Sequence, residues 1–173
     1  HRFEPFLDDT IPVVLDGLAD EDVTVRETAM KGAQAIIRTY LYSAARLLLP
    51  PLQAGLSCDN YKVRTSSAEL LGDLMSRLTQ QEFMVVLEEG EEMDEHSPLA
   101  SIDVPQQHSL LAAIYIARND LVAPVRVSAA HVWKSLISNG PKTLRIILPS
   151  LTEQLLSGLS DDDEDRQAVA ART

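Results

Sequence analysis

Cys58 is the only cysteine in the chain. A thiol becomes a nucleophile where a neighbouring base or cation stabilises its thiolate. The four histidines are His1, His96, His108 and His131, and none pairs with Cys58 in a catalytic spacing. Nor do they show the spacing of zinc ligands. The acidic run Asp161 to Asp165 lacks the alternating pattern and central glycine of a calcium loop. Seven glycines are scattered singly, so no phosphate-cradling loop is encoded. Asp16 and Asp73 are an acid–base pair only in name, because nothing gathers them. The residues predict no catalytic site, cofactor, metal or small-molecule substrate, and the chain reads as non-enzymatic.

One cysteine also excludes a disulfide framework and points to a reducing compartment, here the cytoplasm. No apolar run approaches the roughly 18 residues of a membrane span, so no membrane partner is expected. His1 to Asp9 show neither the basic start nor the apolar middle of a signal peptide.

The residues that recur at a fixed interval are arginines. Val25-Arg26 returns as Val63-Arg64, and Pro12 returns as Pro50, both 38 positions on. A third pair is Val125-Arg126, and Arg166 follows 40 positions later. The step from Arg64 to Arg126 is 62, one repeat plus an insertion of about 24 residues. Arg26, Arg64, Arg126 and Arg166 are thus expected to be structural repeat arginines that pair with turn carboxylates or with a carbonyl of the neighbouring unit.

Each repeat reads as two amphipathic helices. Ile11, Val14, Leu15 and Leu18 share one helical face, with Pro12 placed in a first turn. Val25, Ala29, Ala33, Ile36 and Ile37 mark the partner helix. Leu49, Leu52 and Leu56 precede Val63, Ser67, Leu70, Leu71 and Leu74 in the second unit. Leu110, Leu111, Ile114 and Tyr115 precede Val125, Ala129, Val132, Trp133, Leu136 and Ile137 in the third. Leu148, Leu151, Leu155 and Leu159 open the fourth. Asp22, Asn60 and Asp162, each four residues before an arginine, are the expected N-caps, with Thr24 and Glu27 a competing capping box. In the third unit Val122 takes that position and Pro124 is the start signal. Trp133 is expected in the core.

The expected architecture is all-α: an α-solenoid of stacked antiparallel helical hairpins, about three and a half repeats long. The units are 1–40, 41–78, an acidic insertion over 79–109 that begins as a weak helix at Phe83, Val86 and Leu87 and then becomes loop-like, 110–140, and an incomplete repeat over 141–173. Charge follows this plan. The net charge is −11, but half of the 26 acids lie in two segments, one between Arg77 and Arg118 and one at Asp161 to Asp165. The rest is near neutral, so a nucleic-acid contact is not excluded. Lys134, Lys142 and Arg145 are the closest group of surface bases and the candidates for a ribosome or partner contact. Acidic turns argue against tubulin as a partner.

A hairpin of this length, with proline in its first helix and Val-Arg opening its second, resembles the HEAT repeat, an armadillo-like helical scaffold. Longer segments are more specific. The stretch Gly17 to Ile37 resembles the general control nonderepressible one family. So do Leu47 to Leu56, Val63 to Leu74 with its Leu-Leu-Gly-Asp-Leu, and His131 to Arg145 with its His-Val-Trp-Lys. The resemblance covers nearly the whole chain apart from the insertion. It implies a ribosome-binding translational activator that senses stalled ribosomes in the amino-acid starvation response. That family stimulates the kinase acting on the alpha subunit of initiation factor two, with an auxiliary ATPase partner. No kinase-contact motif falls in this stretch. The alternative is another HEAT scaffold, such as a transport receptor. Neither end of the chain reads as a polar capping repeat, so marginal stability or self-association is expected of it alone.

Overall fold

The computed structural model describes residues 2–89 and 104–173, with residues 79–89 as backbone only. A 3-10 turn, Glu4–Phe6, leads into eight helices: α1 Leu7–Gly17, α2 Val23–Thr39, α3 Leu41–Gly55, α4 Tyr61–Glu89, α5 Val104–Ala117, α6 Ala123–Leu136, α7 Gly140–Leu159 and α8 Glu164–Arg172. They form four hairpins, α1–α2, α3–α4, α5–α6 and α7–α8, stacked as an all-α solenoid.

Stacking follows from the apolar stripes. The second helices α2, α4 and α6 pack in succession, most extensively α4 on α6. In the first-helix layer α5 packs along α7. One core cluster runs from Leu7 and Ile37 through Leu52, Leu71 and Ile114 to Ile147 and Leu151. No single hairpin covers its own apolar face; the neighbour does, which is the logic of a repeat array.

Small residues set how close the helices come. A methyl group on Gly17 would stand 2.8 Å from Cβ of Ala29, and one on Gly158 would stand 3.1 Å from Cβ of Ala170. Gly55 faces Ser67 with no room for a side chain, and in the third hairpin Ala117 and Ala129 share a small buried cluster. The partner lies 12 residues on in every case. Across units, Gly72 lets α6 approach α4: a methyl there would meet Val132 Cγ2 at 2.5 Å.

Two expectations change. Pro12, Pro50, Pro51 and Pro149 lie inside α1, α3 and α7, beyond the first turn. Pro12, Pro50 and Pro149 are exposed, so a carbonyl left without its helical donor can turn to water. The insertion over 79–109, expected to begin as helix and then to become a loop, is helical at both ends, so the change lies at its C-terminal end. The helix α4 runs to Glu89, and α5 begins at Val104 with Pro105 second, where a missing N–H costs no helical bond. Residues 90–103, with His96 and most of the acidic run, lie outside the described residues. Among the described residues, no helix is long and apolar enough to cross a membrane.

Candidate functional site

The turns inside the hairpins line one edge of the solenoid. There the repeat arginines do one job three times, and the carbonyls they bind belong to their own turn and not, as expected, to the neighbouring unit. Arg26 Nη1 donates to the carbonyls of Asp20 and Glu21, both at 2.7 Å. Arg64 Nη1 donates to the carbonyls of Cys58 at 2.7 Å and Asp59 at 2.9 Å. Arg126 Nη1 donates to those of Asp120 and Leu121, both at 2.8 Å. A five-residue turn leaves carbonyls without helical partners, and one guanidinium nitrogen satisfies two of them.

An aspartate often braces the same turn from within. Asp20 Oδ1 accepts from Asp22 N at 2.8 Å, and Asp120 Oδ1 from Val122 N at 2.8 Å. Asp161 Oδ1 accepts from Asp163 N at 3.0 Å. Caps follow: Asp22 accepts from Thr24 N and Asn60 from Lys62 N, so the capping box at Thr24 is not the helix start.

The fourth unit is out of step. Its N-cap is Asp163, not Asp162, and it accepts from the N–H groups of Asp165 and Arg166. The residue whose N–H closes the first helical turn on the cap carbonyl is Gln167, where the other units have Arg26, Arg64 and Arg126. Gln167 Nε2 accordingly donates to the Asp161 carbonyl at 2.6 Å. Arg166 therefore stands one position before the register of the other three arginines, although it pairs with turn carboxylates as expected. The slip is one residue: Ala129 to Ala170 is 41 positions, as is Arg126 to Gln167.

Released from that role, Arg166 bridges two turns. Its Nη2 donates to Asp59 Oδ1 at 2.9 Å and its Nη1 to Asp161 Oδ2 at 3.2 Å. These two carboxylates raise its already high pKa, Asp59 first. The Asp161 carboxyl is held below the usual range by the Asp163 N–H and, against a small desolvation penalty, by Arg166. The Asp22 carboxyl is lowered chiefly by the Thr24 backbone and side-chain hydrogen bonds. Arg64, whose own turn has Cys58 where the others have aspartate, closes Nε and Nη2 on Asp120 of the next unit at 2.7 and 3.1 Å. Asp120 is buried, its side chain 6% exposed, and that of Arg64 is 16% exposed. On the first-helix side Gln53 and Gln154, from α3 and α7, both donate to Ser109 Oγ of α5 at 3.0 Å.

The bases Lys134, Lys142 and Arg145 lie elsewhere, at the end of α6 and in the first two turns of α7. All three are exposed, and no acid occurs between Arg126 and Glu153. Asn139 caps α7 by accepting from Lys142 N at 3.1 Å. Trp133, beside them in sequence, is 9% exposed and meets Tyr115 edge-on at 5.1 Å, with Arg118 over both rings. Cys58 lines a cavity on the turn edge that no histidine shares among the described residues. Asp120, Gln167 and the Gln53–Ser109–Gln154 bridge were not singled out by sequence. The shared six-residue offset of Asp20 and Asp120 from Arg26 and Arg126 was the available signal for Asp120.

Residues 1–89 match the family described as EF3 N-terminal HEAT repeat. Over 99% of its length the chain is 37% identical to the stalled ribosome sensor GCN1 of Homo sapiens. It is 34% identical to the eIF-2-alpha kinase activator GCN1 of Saccharomyces cerevisiae and 36% identical to Protein ILITYHIA of Arabidopsis thaliana, again over 99%. It spans 7% of the length of each of these relatives. No solved structure matches it.

Proposed function

This chain belongs to the EF3 N-terminal HEAT repeat family and is homologous along its length to one segment of GCN1 proteins, and on that premise we propose that it is a non-enzymatic scaffold segment of a ribosome-binding translational activator. The activator senses stalled ribosomes and stimulates the initiation factor two alpha kinase in the amino-acid starvation response. The carrying observation is the 34–37% identity over 99% of the chain to proteins named for these two tasks. The kinase and an auxiliary ATPase are partners of the longer protein rather than of this segment. Its place is the cytoplasm, and tubulin and membranes are not among its partners.

The fold supports the scaffold part. Guanidinium groups that sequence alone might assign to anion binding are taken up by turn carbonyls and by Asp120. The exposed bases lie at the α6–α7 junction. Lys134, Lys142 and Arg145 are the residues of this segment proposed to meet ribosomal phosphates. Crosslinking mass spectrometry of the longer protein on ribosomes tests this. Crosslinks from Lys134 and Lys142 to ribosomal components are expected. Their absence, with efficient crosslinks from Lys31 and Lys62, would place the contact on another face.

A further inference from the structure

On the turn edge, units two, three and four enclose a cavity of about 490 Å³. Its floor is apolar, built from Leu56, Ala113, Ile116 and Val169. Asp59, Asp161, Asp163 and Asp165 also line it, as does Asp120, which is buried against Arg64. Two guanidiniums share the lining. Arg64 is fully engaged by Asp120 and two carbonyls. Arg166 lies across the mouth between Asp59 and Asp161, its side chain 42% exposed. The turn does not need it, since Gln167 holds the carbonyl. Its pairing with Asp59, whose side chain is 83% exposed, is of the weak, exchangeable kind.

We propose that this cavity docks an arginine-bearing segment of a partner protein, whose guanidinium displaces that of Arg166 between Asp59 and Asp161. Three features select this occupant. The two carboxylates already hold a planar guanidinium in place. The apolar floor suits the methylene stem of an arginine, which buries its chain while its head stays at a polar rim. Five carboxylates against two guanidiniums leave the lining net negative, which repels nucleic acid and attracts a basic peptide. Arg166 is then an internal competitor that holds the site closed until a better-placed cation arrives. The inference is independent of the phosphate contact at the α6–α7 junction.

Fluorescence anisotropy of the 173-residue chain with fluorescein-labelled hexa-arginine tests it. Arg166→Ala should tighten binding by about fivefold, because it frees two carboxylates, and Asp59→Asn or Asp161→Asn should weaken it by about tenfold. Asp162→Asn with Glu164→Gln, acids of the same turn that do not line the cavity, should leave binding within about twofold. Arg172→Ala, which removes the same charge from the same helix outside the cavity, should leave binding within about twofold, so a gain confined to Arg166→Ala is not an effect of net charge. No gain there, or an equal loss in the Asp162/Glu164 variant, would overturn the proposal in favour of diffuse charge attraction. Charge reversal at Lys134, Lys142 and Arg145 should not affect peptide binding, so the two readings fail separately.

Discussion

At the scale of single residues, the fold depends on polar groups placed where helices turn. Asp120 accepts from Arg64 twice and from the Val122 N–H, so it joins the second unit to the third and braces its own turn. Removing one partner of a largely buried pair strands the other charge. Asp120→Ala is therefore expected to cost about 3 kcal/mol in urea unfolding. Arg64→Ala with Asp120→Ala should cost less than the sum of the two single changes by about 1 kcal/mol or more; strict additivity would count against the pair. Asp22 and Asp161 contribute differently, through pH. Both carboxyls sit below their ordinary value of 3.8 in the fold. Their contribution is complete above that value and is lost as pH falls through the lowered values. Unfolding followed below pH 4 should show a shallower acid limb in Asp22→Ala and Asp161→Ala than in the parent; identical limbs would mean that neither carboxylate contributes through its lowered pKa. The arginine series was legible because Val-Arg recurs on a fixed period. The arginine's cross-unit partner was not, since 56 residues separate Arg64 from Asp120.

At the scale of helices, sequence pattern and structure agree on hairpins because apolar periodicity is local. They part where register depends on packing. Matching arginine to arginine put Arg166 in the repeat position, while the Gly158–Ala170 contact and the Asp163 cap put Gln167 there. The two readings differ in outcome. Gln167→Ala should cost about 1 kcal/mol, the usual worth of a hydrogen bond, and Arg166→Ala less than that. The reverse order in thermal denaturation would restore the arginine register. The α4–α6 contact gives a second test. Gly72→Ala pushes a methyl onto Val132, a branched side chain in the most extensive helix contact. Overpacking of this kind costs about 1–3 kcal/mol. Pairing it with Val132→Ala should recover part of the loss, and no recovery would mean that Gly72 matters for some reason other than clearance.

At the scale of the whole chain, the net charge of −11 is not spread evenly. The turn edge carries Asp20, Glu21, Asp22, Asp59, Asp120 and the run from Asp161 to Asp165. The α6–α7 junction carries Lys134, Lys142 and Arg145 within an acid-free stretch. On the proposed ribosome contact such a division would orient the segment, with a phosphate surface repelled by one edge and met by the other. Three phosphate contacts release few counterions, so the dependence on salt should be modest. The logarithm of affinity should fall with a slope of about −2 to −3 against the logarithm of salt, or roughly fifteen- to sixtyfold between 50 and 200 mM. That applies to the ribosome contact proposed for this segment, measured as the difference between the longer protein and its Lys134→Glu, Lys142→Glu, Arg145→Glu variant. A difference that does not vary with salt would mean that these bases act by packing rather than by charge, and the phosphate contact would have to be sought on another face.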